Sequence, residues 1–405
     1  MQSNAPFQKI CVLGLGYIGL PTAALLANRG FDVLGVDVLP HVVNTINSGQ
    51  IHIVEPGLDT FVKSAIMSGK LRAALSPEEA DVFIIAVPTP FHEGFIPNVD
   101  YVVSATKSIA PFVKKGNVVL LESTSPVGTT ELMAKTLKDE GKDIEDLFIA
   151  HCPERVLPGQ VMRELIQNDR VVGGVNSKST EMVKSFYEKF VEGEVIGTDA
   201  RTAELCKLVE NASRDVNIAF ANELSMICDQ ANINVWELIT LANRHPRVNI
   251  LRPGSGVGGH CIAVDPWFIV SAFPEYSKVI KTARQVNDYK TLWVIEKIKY
   301  AALQFNNQNN KVPIIACFGL AFKPDIDDLR ESPAIEIYHQ LKKESFNLMI
   351  VEPNILNFAG EHLEDPELAV QNADICCFLV SHKEFKGLPQ KAIDLNKIVI
   401  NVTGV

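Results

Sequence analysis

The sequence predicts an α/β protein: two doubly wound αβ domains joined by a long central helix and a helical middle domain. Three observations predict this class. Short apolar runs alternate with helical patterns toward both ends of the chain. A glycine-rich turn separates the first strand from the first helix, and an unbroken helical periodicity fills the middle. The expected division is residues 1–200 for the first αβ domain, 201–305 for the helical domain and 306–405 for the second αβ domain. A chain of 405 residues exceeds one compact core, which agrees with that division.

The first element is a buried strand, Lys9 to Leu13. Gly14-Leu15-Gly16-Tyr17-Ile18-Gly19 follows it, then a helical run from about Pro21 to Arg29. Phe31 to Val36 reads as the second strand and ends at Asp37. A strand, a GxGxxG turn, a helix and an acid closing the next strand are the parts of a Rossmann-like dinucleotide site. The glycines let the backbone approach a pyrophosphate at a helix N-terminus, where the dipole favours negative charge. Asp37 can accept hydrogen bonds from a ribose diol and would repel a 2′-phosphate, so NAD is expected over NADP. An ordinary strand-turn-helix using glycine for a tight turn is the bland alternative.

Val82 to Val87, Val118 to Glu122 and Asp146 to Ala150 continue the series of buried strands. Pro88-Thr89-Pro90 and Ser123-Thr124-Ser125-Pro126-Val127-Gly128 follow two of them. Ligands of open α/β sheets sit at the carboxyl ends of strands, so Pro88, Thr89 and Thr124 are expected at the cofactor. A simple turn suits Pro88-Thr89-Pro90 equally well. From Thr202 to Asn232 the apolar positions Leu205, Leu208, Val209, Ala212 and Val216 recur at helical spacing. This central helix is expected to serve also as a homodimer surface.

The second αβ domain repeats the pattern of the first. Ile314 to Leu320, Leu348 to Glu352 and Ala373-Asp374-Ile375 parallel Ile10 to Leu15, Val33 to Asp37 and Ala80-Asp81-Val82. Its loop, Gly319-Leu320-Ala321-Phe322-Lys323, keeps one glycine and gains a lysine. Lys323 is either a phosphate contact or a solvated surface group.

A net charge of −10 argues against nucleic acid or an anionic membrane as the main partner. No apolar run reaches bilayer length, and Met1 to Lys9 has no signal core. Eight scattered cysteines show neither metal-finger spacing nor disulfide density. The expectation is a reduced cytoplasmic protein without a metal.

Chemistry concentrates in Gly256-Val257-Gly258-Gly259-His260-Cys261-Ile262-Ala263-Val264-Asp265-Pro266. Small residues give a thiol access to a carbon centre, although most cytosolic cysteines are merely small buried hydrophobes. Lys207 and Asn211 stand at i and i+4, on one face of the central helix. They either line a cleft and stabilise an oxyanion or belong to a solvated face. Glu154, in Cys152-Pro153-Glu154-Arg155, and Asp265 each suit either water activation or loop hydrogen bonding. Asn243 to Asn249 gathers the anion donors Arg244, His245 and Arg247. Arg330 is either paired within its acidic loop or reaches the cofactor.

With these residues in view, the chain resembles the UDP-glucose/GDP-mannose dehydrogenase family from Gly14 to about Val380. The resemblance rests on the glycine loop with Asp37, Ser123 to Gly128, Cys152-Pro153-Glu154, Lys207 with Asn211, the Gly-Gly-His-Cys loop, and Phe322-Lys323 with Arg330. It implies a four-electron oxidation of a UDP-sugar C6 alcohol to a carboxylate with two NAD per turnover, for surface polysaccharide synthesis. Cys261 would form a thiohemiacetal and then a thioester. Lys207 and Asn211 would hold the C6 oxygen, and Asp265, Thr124 and Glu154 would bind or activate water. Gly14, Gly16, Tyr17, Ile18, Gly19, Asp37, Pro88, Thr89, Thr124 and Arg330 would contact the cofactor. Glu154, Arg155, Val156, Arg244, His245, Arg247, Gly258, Phe322 and Lys323 would join Lys207 and Asn211 around the substrate.

Pro158 stands where the UDP-glucose branch carries a second acid, and His260 replaces an aromatic or small residue of other branches. A 2-acetamido sugar therefore fits better than glucose; the resemblance, closest in Pro153 to Gln160, Asn243 to Ile250 and Gly258 to Trp267, implies UDP-N-acetyl-D-mannosamine, with UDP-N-acetylglucosamine or UDP-glucose as alternatives that no single residue separates. A non-catalytic nucleotide-sugar or NAD sensor is the alternative from another class.

Overall fold

The computed structural model describes residues 7–157, 159–259 and 261–405, so Pro158 and His260 lie outside the described residues. Two units emerge, residues 1–209 and 210–405.

The first unit is built on eight strands: β1 (Lys9–Leu13), β2 (Asp32–Val36), β3 (Leu71–Ala74), β4 (Val82–Ile85), β7 (Val118–Leu121), β8 (Phe148–His151), β9 (Arg170–Gly174) and β10 (Val195–Asp199). A small hairpin, β5 (Phe91–His92) and β6 (Ile96–Pro97), branches off between β4 and β7. The sheet order is β10-β9-β8-β7-β4-β1-β2-β3, and the β8–β9 pair is antiparallel within an otherwise parallel sheet. The order reverses at β1 and β4, the switch point at which α/β sheets bind ligands. β4 and β7 are buried along their whole length, as helices on both faces require.

In the second unit β11 (Ile314–Phe318), β12 (Asn347–Val351), β13 (Ile375–Phe378) and β14 (Ile398–Asn401) form a parallel sheet ordered β12-β11-β13-β14. Its switch point lies between β11 and β13. One core packs Val294, Ile298 and Ile337 against one face of this sheet, and another packs Val370, Phe385 and Leu388 against the other.

The departures from expectation have local causes. The β8 strand begins at Phe148 because the Asp143 side chain accepts the Glu145 N–H and turns residues 144–146 into a short helix. β11 stops before Gly319, whose φ of +96° leaves extended geometry. The central helix spans Ala200–Gln230, and Asn232 at φ +54° stands in the left-handed region just beyond it. Strands β9 and β10 escape the apolar pattern because Gly173, Gly174 and Gly197 dilute it.

The face of the central helix also differs from the apolar stripe. Leu208 and Ala212 are buried, but Val209 is 42% exposed, and the buried face includes Glu204, Asp215, Asn222 and Ser225. Within the second unit this polar face meets the helix Lys278–Asn309. Arg284 donates to Asp215 at 2.6 Å, Asn287 to Asp215 at 2.8 Å and Lys290 to Ser225 at 2.8 Å. Buried polar groups need such partners, and no hydrophobic pattern announces them.

Candidate active site

In the first unit the glycine loop is shaped by the close approach of backbone to backbone. A Cβ at Gly14 would lie 2.5 Å from the Ala86 carbonyl oxygen, and one at Gly19 would lie 1.8 Å from the Gly14 carbonyl oxygen. A Cβ at Gly16 would meet nothing within 4 Å, so the protein's own packing does not demand that glycine. The space above Gly16 and the start of the helix Gly19–Asn28, which has no side-chain cap, suit a pyrophosphate. Tyr17 and Gly16 are exposed and Ile18 is half-buried. Asp37 accepts the Leu15 N–H at 3.0 Å through one oxygen and the Leu39 N–H at 3.0 Å through the other. Each oxygen keeps a lone pair for a ribose hydroxyl. The residues fit NAD.

The loops beyond β4 and β7 are tied together. Thr89 donates to the Thr124 carbonyl at 2.6 Å, and Ser123 donates to the Val87 carbonyl at 2.7 Å. Pro88 is exposed beside them. Buried Glu204 anchors the far side of the second loop by accepting the N–H groups of Gly128 at 2.6 Å and Thr130 at 2.7 Å. One turn further along this helix, Lys207 is half-buried and has no hydrogen-bond or ion-pair partner among the described residues.

Glu154 is turned inward. It is 6% exposed and takes the Arg170 guanidinium at 2.5 Å, while its other oxygen accepts the Arg155 N–H at 2.7 Å. Arg155 donates to the Asp169 carbonyl at 2.6 Å, and half-buried Val156 packs on the core. Beside this pair, burial and the Glu154 charge push the Glu122 carboxyl up to about 7, despite hydrogen bonds from Tyr187 and Thr22. Glu55 holds the same loop by accepting the Gly159 and Val161 N–H groups at 2.8 and 2.9 Å. Glu55, Glu204 and Arg170 carry no sign of these roles in the sequence around them. A carboxylate that caps a distant loop carries no local sign of its partner.

In the second unit the cysteines separate by exposure. Cys261 is exposed, whereas Cys228, Cys317, Cys376 and Cys377 are buried. In the first unit Cys11 and Cys152 are also buried, and Cys206 is intermediate. Burial pushes the Cys11, Cys152 and Cys317 thiols up to about 12, which withholds the thiolate needed for attack. The Cys261 carbonyl accepts the Asp265 N–H at 2.8 Å, a turn that leads into the helix Asp265–Ala272. Asp265 is buried and accepts Asn211 Nδ2 at 2.5 Å. The stretch before the thiol is anchored upstream as well, because Asn222 accepts the Gly254 N–H at 2.9 Å and Thr291 donates to the Ser255 carbonyl at 3.1 Å.

The glycines before the thiol serve packing. A Cβ at Gly258 would lie 2.3 Å from the Glu331 carbonyl oxygen and 2.9 Å from Phe322 Cβ; one at Gly259 would lie 2.8 Å from the Phe322 ring. Their small size therefore admits Phe322 and the Glu331 backbone. Lys323, the next residue after Phe322, is exposed. Arg330 pairs with Asp328 at 2.6 Å. Arg244, His245 and Arg247 are exposed on a loop that Asn243 pins at both ends of Ile250, at 3.0 and 2.7 Å.

Asp325, His382 and Glu384 bring three metal-capable side chains together. The Nδ1 of His382 already faces the Asp325 N–H at 2.9 Å and Asn354 Nδ2 at 3.0 Å.

The glycine loop with Asp37 marks the first unit as the NAD-binding part of a dehydrogenase. The chain belongs to the UDP-glucose/GDP-mannose dehydrogenase family, whose NAD binding domain matches residues 8–191, central domain residues 201–289 and UDP binding domain residues 316–405. It is similar to an NDP-N-acetyl-D-galactosaminuronic acid dehydrogenase of Ralstonia nicotianae, 53% identical over 98% of this chain and 96% of that protein. A UDP-N-acetyl-D-mannosamine dehydrogenase of Campylobacter jejuni is 56% identical over 94% of this chain and 96% of its own length. Among solved structures, a UDP-D-ManNAc dehydrogenase from Pyrococcus horikoshii superposes with a TM-score of 0.89 at 38% identity, covering 98% of this chain and 96% of that one. Among the described residues no helix is long and apolar enough to cross a membrane.

Proposed function

We propose that the chain oxidises the C6 alcohol of UDP-N-acetyl-D-mannosamine to the carboxylate, in two oxidations at Cys261, as a cytoplasmic homodimer that supplies an acidic sugar for surface polysaccharide. The observation that carries this reading is the exposure of Cys261, four residues ahead of a buried carboxylate that holds Asn211. The names of several relatives at 53–56% identity support the substrate. Exposed Val209, Phe220 and Ile227, spaced along one side of the central helix, support the homodimer. Residues 1–200, 201–305 and 306–405 would then serve cofactor, thiol and assembly, and nucleotide-sugar in turn.

Gly14–Gly19, Asp37 and the Thr89–Thr124 loops would hold NAD, which would supply the hydride acceptor for each oxidation, while the alcohol proton of the first passes to solvent. Lys207 donates to the C6 oxygen, and Asn211 uses the N–H left over from Asp265 for the same atom. The Cys261 sulfur adds to the C6 aldehyde, forming the S–C bond while the carbonyl oxygen takes up a proton. Loss of the C6 hydride together with the hydroxyl proton from that thiohemiacetal would leave a thioester on Cys261. Water activated by Asp265 then cleaves it, freeing the carboxylate and restoring the thiol. In this scheme Glu154 works through the loop it anchors, with Arg155 and Val156 along the substrate. Arg244, His245, Arg247 and Lys323 supply positive charge for the diphosphate.

The test is a panel of UDP-N-acetylmannosamine, UDP-N-acetylgalactosamine, UDP-N-acetylglucosamine and UDP-glucose, with product mass and NADH counted per sugar. About two NADH per UDP-N-acetylmannosamine is expected from the two oxidations. Turnover of another sugar in its place overturns the substrate. One NADH per sugar, or unchanged turnover by Cys261→Ser, overturns the thioester route.

A further inference from the structure

The second αβ unit repeats the first down to a hydrogen bond. In the first, Asp37 at the end of β2 accepts the Leu15 N–H. In the second, Glu352 follows β12 and accepts the N–H groups of Leu320 at 2.7 Å and Ala321 at 3.0 Å. There the likeness stops. Asp37 is half-buried, whereas Glu352 is buried and spends its remaining capacity on the protein: Asn354 N–H donates to it at 3.0 Å and His382 Nε2 at 3.0 Å. A carboxylate satisfied in this way is not available to a ribose.

His382 is fully buried, and its hydrogen-bond partners tell the two ring nitrogens apart. Two N–H donors face Nδ1, the Asp325 backbone and the Asn354 amide, so Nδ1 is the bare acceptor. The ring proton therefore sits on Nε2 and points at Glu352. Asp325, in turn, has φ +60° and accepts the Lys383 N–H at 2.9 Å. A left-handed Asp persists where its surroundings fix it, and here the residues after β13 do so. Lys323 thus stands between two fixed points: Phe322 seated on Gly258 and Gly259, and Asp325 bonded to His382.

We propose that Glu352 and His382 form a buried clamp that positions Lys323 for the diphosphate of a nucleoside diphosphate sugar. The clamp converts a dinucleotide-type loop into a presenter of one cation. It rests on the reading that Lys323 contacts the nucleotide-sugar, and both residues are positioning residues that act through the loop.

The test uses the full chain and measures the Kd for UDP by calorimetry beside the Kd for NAD. Lys323→Ala and His382→Ala are each expected to weaken UDP about tenfold, the scale of one or two hydrogen bonds, and to leave NAD unchanged. The double variant is expected to bind UDP no more weakly than Lys323→Ala alone. His382→Asn keeps an acceptor near the Nδ1 position, whereas His382→Gln keeps a donor near Nε2. The Asn variant is expected to hold UDP more tightly than the Gln variant, a comparison that stands even where His382→Ala fails to fold. Additive losses in the double variant, or Gln equal to Asn, overturn the clamp. Native UDP affinity in His382→Ala beside a weakened Lys323→Ala overturns the clamp alone. Native affinity in Lys323→Ala overturns the reading of Lys323, and the positioning role with it.

Discussion

Asn211 Nδ2 donates to the Asp265 carboxylate at 2.5 Å, joining the central helix to the residue four positions beyond Cys261. The bond orients the amide, and the carboxylate can accept only while Asp265 stays ionised or offers its carbonyl oxygen. Asp265→Ala is expected to lower kcat about 100-fold, the scale of losing one oxyanion donor, with little change in KM for NAD. Asn211→Ala should cost a similar factor, and the double variant little more than either. Steady-state kinetics of the three variants check this; fully additive losses would show that the two residues act separately.

The glycine loop offers a sharper contrast. Gly16→Ala is expected to leave stability within about 0.5 kcal/mol, because its Cβ enters open space, yet to raise KM for NAD. Gly19→Ala forces a Cβ onto the Gly14 carbonyl and is expected to cost about 1–3 kcal/mol. Denaturant titration beside NAD kinetics separates a glycine kept for the ligand from one kept for the fold.

Lys290 is buried against Ser225 and the Trp293 ring, 3.9 Å away. Burial, helped by the nearby Lys297 charge, pulls it from the ordinary lysine range of 10.5 down to about 7. Between pH 7 and 10.5 the unfolded chain therefore holds a proton that the fold releases, so stability rises with pH across that window. Lys290→Met should remove this rise and be more stable than the parent at pH 7. Urea titrations of both proteins from pH 7 to 10 read it, and parallel curves would refute it.

Glu352 moves the other way. Burial raises its carboxyl, but hydrogen bonds from His382 and the Leu320 and Asn354 N–H groups outweigh this and hold it down to about 2. Its contribution is present above about 4.5, the ordinary carboxyl value, and is lost as pH falls toward 2. Glu352→Gln should be less stable than the parent at pH 7, with the gap narrowing between pH 5 and pH 3. Stability measured at those three pH values checks the sign.

Much of the fold is legible in the chain because parallel strands buried on both faces must be written as apolar runs. β1, β4, β7 and β11 are written that way. The polar half of the central helix is not legible, since Glu204, Asp215, Asn222 and Ser225 look like a solvated face until their partners are known. The candidate site divides similarly. Gly14, Gly19 and Asp37 announce themselves by local geometry, whereas Glu55 and Arg170 meet their partners across long stretches of chain.

The sequence by itself determined the alternation of strand and helix, the dinucleotide loop and the presence of a thiol among small residues. Each of these is a short-range pattern imposed by backbone geometry or side-chain period. Only the tertiary structure decided that Cys261 is the exposed thiol, that Gly258 and Gly259 make room for Phe322, and that Glu352 is spent on His382. Those outcomes depend on which side chains meet after folding, and burial, which sets the energy of a thiol or carboxylate, exists only once they have met.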